Sequence, residues 1–358
     1  MKISSRTSVR AAVVLLGGAM MLSACTKAED SGTPGTDASA GAQVVASASP
    51  GGAGCTLQQY GSEKLDLKNA VVGFSQSEKE ANPFRIAETQ SIKDEAAKIG
   101  VKQLLVTNAQ SQLSKQISDI QDMLNQGAQF LIVAPLNSDG LEPALAAAAA
   151  KKVPVLTIDR KVNAGACKDY LAFLGSNFVE QGKRAADAMV KATGGKGKVA
   201  ILLGSSGNNV TTDRTNGFVD QIKATAPGIE IVAQQTGEFS REKGQAVMEQ
   251  LLLSKPEITA VYAENDEMAL GAVTAIKGRG KKPGTDIKIV SIDGTANAVK
   301  AIVDGTINAV IESNPRFGPL AFATAAKFYS GEAIPANVII SDREYDPANA
   351  ASSLSSAY

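Results

Sequence analysis

From residue 70 onward, the sequence alternates short apolar runs rich in Val, Ile and Leu with longer stretches that have helical spacing. The helical spacing is plain at Leu113, Ile117, Ile120 and Leu124, which fall on one face of a helix. Ten apolar runs precede residue 312, at residues 70–75, 101–106, 130–134, 153–158, 170–174, 198–203, 229–233, 259–263, 287–292 and 307–311. Because these runs lack polar alternation, they are typical of strands buried on both faces of a sheet. Their alternation with helices predicts parallel sheets with right-handed crossovers.

The number of predicted strands indicates two lobes, because ten strands exceed one comfortable open sheet. The length of 358 residues is also too great for one ordinary core. We therefore expect an α/β fold of two doubly wound parallel-sheet lobes joined by a hinge. The predicted N-terminal lobe is 68–174 plus 315–337, and the predicted C-terminal lobe is 177–312 plus 340–358.

The N-terminus is typical of an export signal. Lys2, Arg6 and Arg10 precede an apolar stretch, 11–21, that is too short to span a bilayer. The stretch leads into Leu-Ser-Ala-Cys at 22–25, which resembles a bacterial lipobox. We therefore predict a lipoprotein signal peptide at 1–24 and a lipid on Cys25, which would place the protein on the outer face of the cytoplasmic membrane. An ordinary cleaved signal that contains a cysteine is the alternative.

A flexible lipid-anchored linker is predicted for residues 25–57, since most of this segment is rich in Ser, Gly, Ala, Thr and Pro and has no hydrophobic period. With Cys25 lipidated, Cys55 and Cys167 are left as an even pair in an oxidising compartment, which favours a disulfide. Two separate thiols are the alternative.

Composition argues against several classes of function. Lys+Arg and Asp+Glu balance at 36 each, whereas a nucleic-acid partner needs a clustered basic excess. The chain has no histidine, the commonest general base and metal ligand. The glycine-serine loop 204–207 lacks the Lys-Ser/Thr ending of a phosphate-binding loop. We therefore expect no catalytic residue, no metal and no cofactor.

Polar residues follow the predicted strands in both halves of the chain, and ligands of open parallel sheets bind outside the carboxyl ends of the strands. Arginine can donate to two adjacent hydroxyls, aspartate accepts from two, and asparagine does both, so these residue types suit a polyol. Structural roles are the alternatives: a helix cap for Asn265, a turn for Asp293 and an ion pair between Asp159 and Arg160. The predicted ligand-binding residues are Asn82, Pro83, Phe84, Arg85, Asp159, Arg160, Arg214, Phe239, Asn265, Asp293 and Glu312.

Several of these residues lie in motifs of a known family. The motifs are Val-Gly-Phe-Ser-Gln at 72–76, Phe-Arg-Ile-Ala-Glu-Thr at 84–89, Ile-Asp-Arg at 158–160, Asp-Arg at 213–214 with Gly-Phe at 217–218, Tyr-Ala-Glu-Asn-Asp-Glu-Met at 262–268 and Ser-Ile-Asp-Gly at 291–294. In this order they resemble the pentose- and hexose-binding proteins of bacterial ABC importers, of the ribose- and galactofuranose-binding type. The resemblance covers about residues 70–345 and implies the type I periplasmic-binding-protein fold.

The resemblance also implies roles for single residues. The segment 82–85, Asp159 and Arg160 would contact a sugar from the first lobe. Arg214, Asn265 and Asp293 would contact it from the second lobe and hinge, and Phe239 would pack on the sugar ring. The loop 77–83 departs from the galactofuranose binders, and Phe84 stands where they have tryptophan.

A monomeric solute-binding protein that hands a monosaccharide to an ABC permease is the function that the resemblance implies. A sugar-sensing receptor for a membrane signalling partner is one alternative. A carbohydrate-active enzyme is another, since Asp159, Asp293 and Glu312 could form a carboxylate pair. A sugar-responsive repressor of this fold would need a helix-turn-helix where the export signal stands.

Overall fold

The computed structural model describes residues 44–49 and 54–358, and in them the chain forms two α/β lobes, each built on one sheet. The strands of the first sheet are β1 Val44–Ser49, β2 Val71–Gln76, β3 Gln103–Asn108, β4 Phe130–Val133, β5 Val155–Ile158, β6 Phe173–Gly175 and β12 Asn337–Ser341. The strands of the second are β7 Gly197–Leu203, β8 Ile229–Thr236, β9 Ala260–Ala263, β10 Lys288–Asp293, β11 Ala309–Glu312 and β13 Glu344–Tyr345.

Helices connect the strands and cover both faces of each sheet. They are α1 Leu57–Tyr60, a 3-10 turn at Leu67–Asn69, α2 Pro83–Ile99, α3 Leu113–Asn125, α4 Glu142–Ala150, α5 Phe178–Thr193, α6 Asn209–Thr225, α7 Arg241–Ser254, α8 Asp266–Gly278, α9 Ala296–Val303, α10 Gly318–Ser330 and α11 Ala350–Ser353. Helix α2 shows why these segments are helical. The Asn82 side chain caps its N-terminus, Pro83 occupies its first turn, and Gly100 ends it in a left-handed conformation.

The two lobes share one strand order. The parallel part of the first sheet runs β3-β2-β4-β5-β6-β12, and that of the second runs β8-β7-β9-β10-β11, so that the first five positions correspond. The strand order reverses beside β2 in the first sheet and beside β7 in the second, which is the doubly wound arrangement. Among the strands of the described residues, only β1 and β13 pair antiparallel, each at a sheet edge. The predicted fold class, two doubly wound α/β lobes, is therefore confirmed.

The segment before β2 is more ordered than the sequence predicts. Within the predicted flexible linker, 25–57, strand β1 pairs with β12 and residue Cys55 pairs with Ile334. Cys55 also forms a disulfide with Cys167, across a sequence separation of 112 residues. The linker prediction is thus wrong for 44–49 and 54–57, because edge pairing orders a segment that has little hydrophobic pattern of its own. The predicted signal peptide and Cys25 lie outside the described residues.

The chain passes between the lobes three times, after β6, after β11 and after β12. The third crossing lies later than predicted. Ile340 and Ser341 still pair with β1 in the first sheet, so the range 340–358 begins within the first lobe. No helix in residues 44–49 and 54–358 is long and apolar enough to cross a membrane.

Candidate ligand-binding site

A cleft between the lobes collects polar side chains from the carboxyl ends of strands in both sheets. Its walls are formed by Glu78, Asn82, Phe84, Arg85, Asp159, Arg160, Val210, Arg214, Phe239, Asn265 and Asp293. The lobes touch beside it, since the Ser138 N–H donates to the Gly207 carbonyl at 2.9 Å and the Lys161 N–H to the Asn209 side chain at 3.0 Å. With the lobes in contact, the cavity between these side chains has a volume of about 30 Å³. The site is therefore small.

The first lobe contributes two arginines held by carboxylates. Glu78 accepts from Arg85 Nε at 3.1 Å and from Arg160 Nη2 at 2.8 Å. Arg85 Nη1 donates to Asp159 at 2.7 Å and to Glu88 at 2.8 Å. Both arginines are almost fully buried, so these ion pairs fix the directions in which their remaining N–H groups point.

The pKa values of the two glutamates of this network shift in opposite directions. Burial alone would raise the pKa of Glu78, but the charges of Arg160 and Arg85 outweigh it and lower that pKa to about 2. Burial raises the pKa of Glu88 to about 7, although Arg85 opposes the shift. Glu78 therefore stays ionised between the two arginines, and Asp159 is a further carboxylate partner of Arg85.

The second lobe contributes Arg214 from helix α6. Its Nε donates to Gln181 at 2.9 Å, and its Nη1 donates to the carbonyl of Glu264 at 2.6 Å. Its Nη2 lies 3.7 Å from the carboxylate of Asp293, beyond hydrogen-bonding distance. The hydrogen bonds to Gln181 and Glu264 thus orient the guanidinium, and a ligand atom beside Nη2 and Asp293 can contact both groups.

Asp293 stands at the end of β10 in an unusual conformation, with φ 143°. Buried Asp266 supports this turn by accepting from the Gly294 N–H at 2.9 Å and from the Thr295 N–H at 2.8 Å. Burial raises the pKa of Asp293 well above its ordinary value; Arg214 opposes the shift, while Asp266 and Asp159 add to it. Strained backbone held by buried hydrogen bonds is typical of ligand sites. Asp159 and Phe239 are also left-handed, at φ 63° and 58°.

Aromatic rings form two walls of the cleft. Phe239 lies 5.9 Å from the guanidinium of Arg160 across the lobes, and Phe84 lies 4.9 Å from that of Arg85. The Asn265 side chain donates to the Phe239 carbonyl at 3.1 Å and accepts from the Met268 N–H at 3.0 Å. Asn265 is therefore a helix cap that also lines the cleft.

The structure brings nine of the eleven predicted residues to this cleft: Asn82, Phe84, Arg85, Asp159, Arg160, Arg214, Phe239, Asn265 and Asp293. Pro83 does not line it and serves as the first residue of α2. Glu312 does not line it either, because its carboxylate accepts from Arg343 at 2.9 Å and from the Tyr345 hydroxyl at 3.0 Å.

Sequence reasoning missed two lining residues, Glu78 and Val210. Glu78 lies in a charged loop that looks like solvated surface, and Val210 lies in the first turn of α6. One signal for Glu78 was available, since two arginines predicted to line one cleft, Arg85 and Arg160, need more acidic partners than Asp159 alone.

The chemistry of the cleft is balanced. Three guanidinium groups, from Arg85, Arg160 and Arg214, face three carboxyls, from Glu78, Asp159 and Asp293. Within the described residues, no three His, Cys, Asp or Glu side chains are arranged to hold a metal ion. The site offers many hydrogen bonds and aromatic surface without a large net charge.

Comparison with known proteins gives a consistent result. The family model described as "Periplasmic binding protein domain" matches residues 72–333. The galactofuranose-binding protein YtfQ of Escherichia coli is 36% identical over 269 residues, which cover 74% of this chain and 84% of that protein. The ribose import binding protein RbsB of Bacillus subtilis is 36% identical over 271 residues, covering 75% and 84%.

A solved structure is similar over the same region. It is the periplasmic binding protein component of the arabinose ABC transporter from Shewanella, bound to α- and β-L-arabinofuranose, with a TM-score of 0.76 and 35% identity over 80% of this chain and 94% of that one. From the fold, the cleft and the match over most of its length, this chain belongs to the periplasmic binding protein domain family.

Proposed function

We propose that this protein captures one monosaccharide, galactofuranose-like or another pentose or hexose, outside the cytoplasmic membrane and delivers it to an ABC transporter permease. The observation that carries the proposal is the meeting of residues from both lobes in one small polar cleft. The names of the relatives, which bind galactofuranose and ribose, support the class of ligand.

A neutral polyol suits the groups that the cleft leaves available. Arg160 Nε is buried without a hydrogen-bond partner among the described residues. Arg214 and Asp293 are 3.7 Å apart, so a hydroxyl can accept from the first and donate to the second. The faces of Phe84 and Phe239 can cover the C–H side of a sugar ring. A strongly anionic ligand would be disfavoured, because it would lie close to the three carboxyl groups of the cleft.

We also expect ligand binding to favour closure of the two lobes. Asp159 and Asp293 come from opposite lobes and repel each other when the cleft closes. Hydroxyl donors between them offset both this repulsion and the desolvation of Asp293. The closed form would then be populated mainly with sugar bound, and it would differ from the open form in affinity for the permease.

Further parts of the proposal are a lipid anchor on Cys25, a monomeric state and the absence of catalysis. The lipobox-like residues 22–25 support the anchor. The printed names of the relatives, which are binding proteins, support a role in capture without turnover.

A thermal-shift screen of furanoses and pyranoses tests the function. A ligand at about 100 times its Kd adds about 2.7 kcal/mol to the free energy of unfolding, so the right sugar should raise Tm by about 4 °C. Analogues that lack one ring hydroxyl should give much smaller shifts, because they leave buried polar groups unpaired. Chromatography should recover the sugar unchanged. Release of sugar from a glycoside, or no shift with any sugar, would contradict the proposal.

Closure is tested by small-angle X-ray scattering with and without the sugar found in the screen. We expect the radius of gyration to fall on addition of sugar, because the lobes rotate together about the three crossings. An equal amount of a sugar that gives no thermal shift is the control. An unchanged radius at saturation would contradict hinge closure.

A further inference from the structure

Gln181 lies at the start of α5, just after the first crossing between the lobes, and is 1% exposed. It does not line the cleft. Its side chain nevertheless contacts a cleft residue and two other crossings at once, through both ends of its amide.

The carbonyl end faces the cleft. Gln181 Oε1 accepts from Arg214 Nε at 2.9 Å. Since Arg214 Nη1 is held by the Glu264 carbonyl, these two contacts decide where Nη2 points, and Nη2 is the group facing Asp293. Loss of the Gln181 contact would free the guanidinium to turn.

The amino end faces the hinge. Gln181 Nε2 donates to Asp342 Oδ2 at 2.8 Å and to the carbonyl of Glu312 at 3.2 Å. Asp342 belongs to the third crossing, and Glu312 is the residue at which the second crossing begins. Asp342 also accepts from Ser176 at 3.1 Å, which lies in the first crossing. The Gln181 amide thus joins the cleft arginine to the second and third crossings directly, and to the first crossing through Asp342.

We infer that Gln181 is a positioning residue that couples the orientation of Arg214 to the arrangement of the hinge. Its amide makes one hydrogen bond with Arg214 and two with the crossings, so a movement of Asp342 or Glu312 relative to α5 would be passed on to the contact with Arg214. This inference rests on the proposed function, because the coupling acts on a ligand held by Arg214.

Gln181→Leu removes both ends of the bridge while keeping much of the volume. We expect sugar affinity to fall by about tenfold or more, since a buried hydrogen bond to a charged group is lost. We also expect faster hydrogen exchange in 175–177, 312–317 and 341–343, with or without sugar. The matched control is Gln221→Leu, which removes the exposed contact between Gln221 and Asp187 on the same pair of helices. In this control variant, neither the sugar affinity nor the hydrogen exchange of the three crossings should change.

Gln181→Glu separates positioning from packing because it keeps the shape. The new carboxyl can still accept from Arg214 but faces the Asp342 carboxyl, whose pKa burial raises to about 6, against the hydrogen bonds of Gln181 and Ser176. The charged groups nearby are Glu312 and Arg214, with Arg184 on the Asp342 carbonyl. At about pH 5 the two carboxyls can share a proton and keep the contact; at about pH 8 both are ionised and repel. Affinity relative to wild type should therefore fall as pH rises.

The outcomes are distinct. If wild type binds sugar and Gln181→Leu binds it equally well with unchanged hinge exchange, the coupling is wrong. A Gln181→Glu variant whose relative affinity is flat with pH would also overturn it. If wild type binds no sugar, the proposed function fails, and the exchange of the three crossings still decides whether Gln181 holds the hinge.

Discussion

Replacing Asp293 with alanine is expected to weaken sugar binding by more than an order of magnitude while the fold remains intact. Asp293 lines the cleft beside Arg214, and at 3.7 Å the two groups do not hydrogen-bond each other, so one sugar hydroxyl can contact both. Truncating one partner of such a buried charged contact with the ligand costs about 2–5 kcal/mol. Affinity should fall by about 30-fold to several thousand-fold, as measured by isothermal titration calorimetry.

Stability should respond differently from affinity. Burial raises the pKa of Asp293 well above its ordinary value, which means that its ionised form is unfavourable in the closed protein. Removing the carboxyl relieves that penalty, so the free energy of unfolding without sugar should not fall. Urea unfolding of the unliganded protein measures this. Loss of binding together with loss of stability would indicate a structural role instead.

Two further variants sharpen the result. Asp293→Asn keeps the shape and an acceptor but loses the charge, and we expect it to bind with intermediate affinity. Asp304→Ala, in the same lobe, removes a half-exposed carboxylate that pairs with Lys300 at 2.7 Å, and it should bind like wild type. Wild-type affinity in Asp293→Ala would show that the cleft is not the sugar site.

The strands and their polar tips could be predicted because their signals are local. Runs such as Phe130–Val133 are apolar throughout, and the structure buries every residue of this strand. Residues at the carboxyl ends of parallel strands meet without further information, which is why Asp159 and Asp293 could be assigned to one cleft. The two lobes share a strand order, but the sequence shows no repeat. The reason is that pairing between distant strands, and not a local sequence pattern, sets this order.

What the sequence did not show depends on contacts between distant segments. Strands β1 and β13 have little apolar pattern and exist as edge partners of β12 and β11. Glu312 stands at a strand tip like Asp293, yet Arg343 and Tyr345, which return late in the chain, occupy its carboxylate. Glu78 is the opposite case. Its charged loop is typical of an exposed surface, yet its ion pairs with Arg85 and Arg160 hold it in the wall of the cleft.

Breaking the disulfide between Cys55 and Cys167 is expected to have the largest effect on stability. The bond closes a loop with a sequence separation of 112 residues. In the chain-entropy model, a cross-link over about 100 residues stabilises the folded state by about 4–5 kcal/mol through the unfolded chain. The variant Cys55→Ala/Cys167→Ala should lose about that much free energy of unfolding in urea, with alanine chosen because Cys55 is 1% exposed.

The disulfide joins the segment before β2 to the loop that follows β5, so its loss should act on the first lobe. Neither cysteine lines the cleft, and sugar affinity should therefore change by less than about threefold.

Wild-type protein in reductant is the matched control, because it should unfold at the same urea concentration as the variant. Peptide mapping of the non-reduced protein should find the two cysteines linked. If reductant leaves the unfolding midpoint of the wild type unchanged, the cross-link does not stabilise the lobe, and the β1 and Cys55 pairings with the first sheet must hold this segment by themselves.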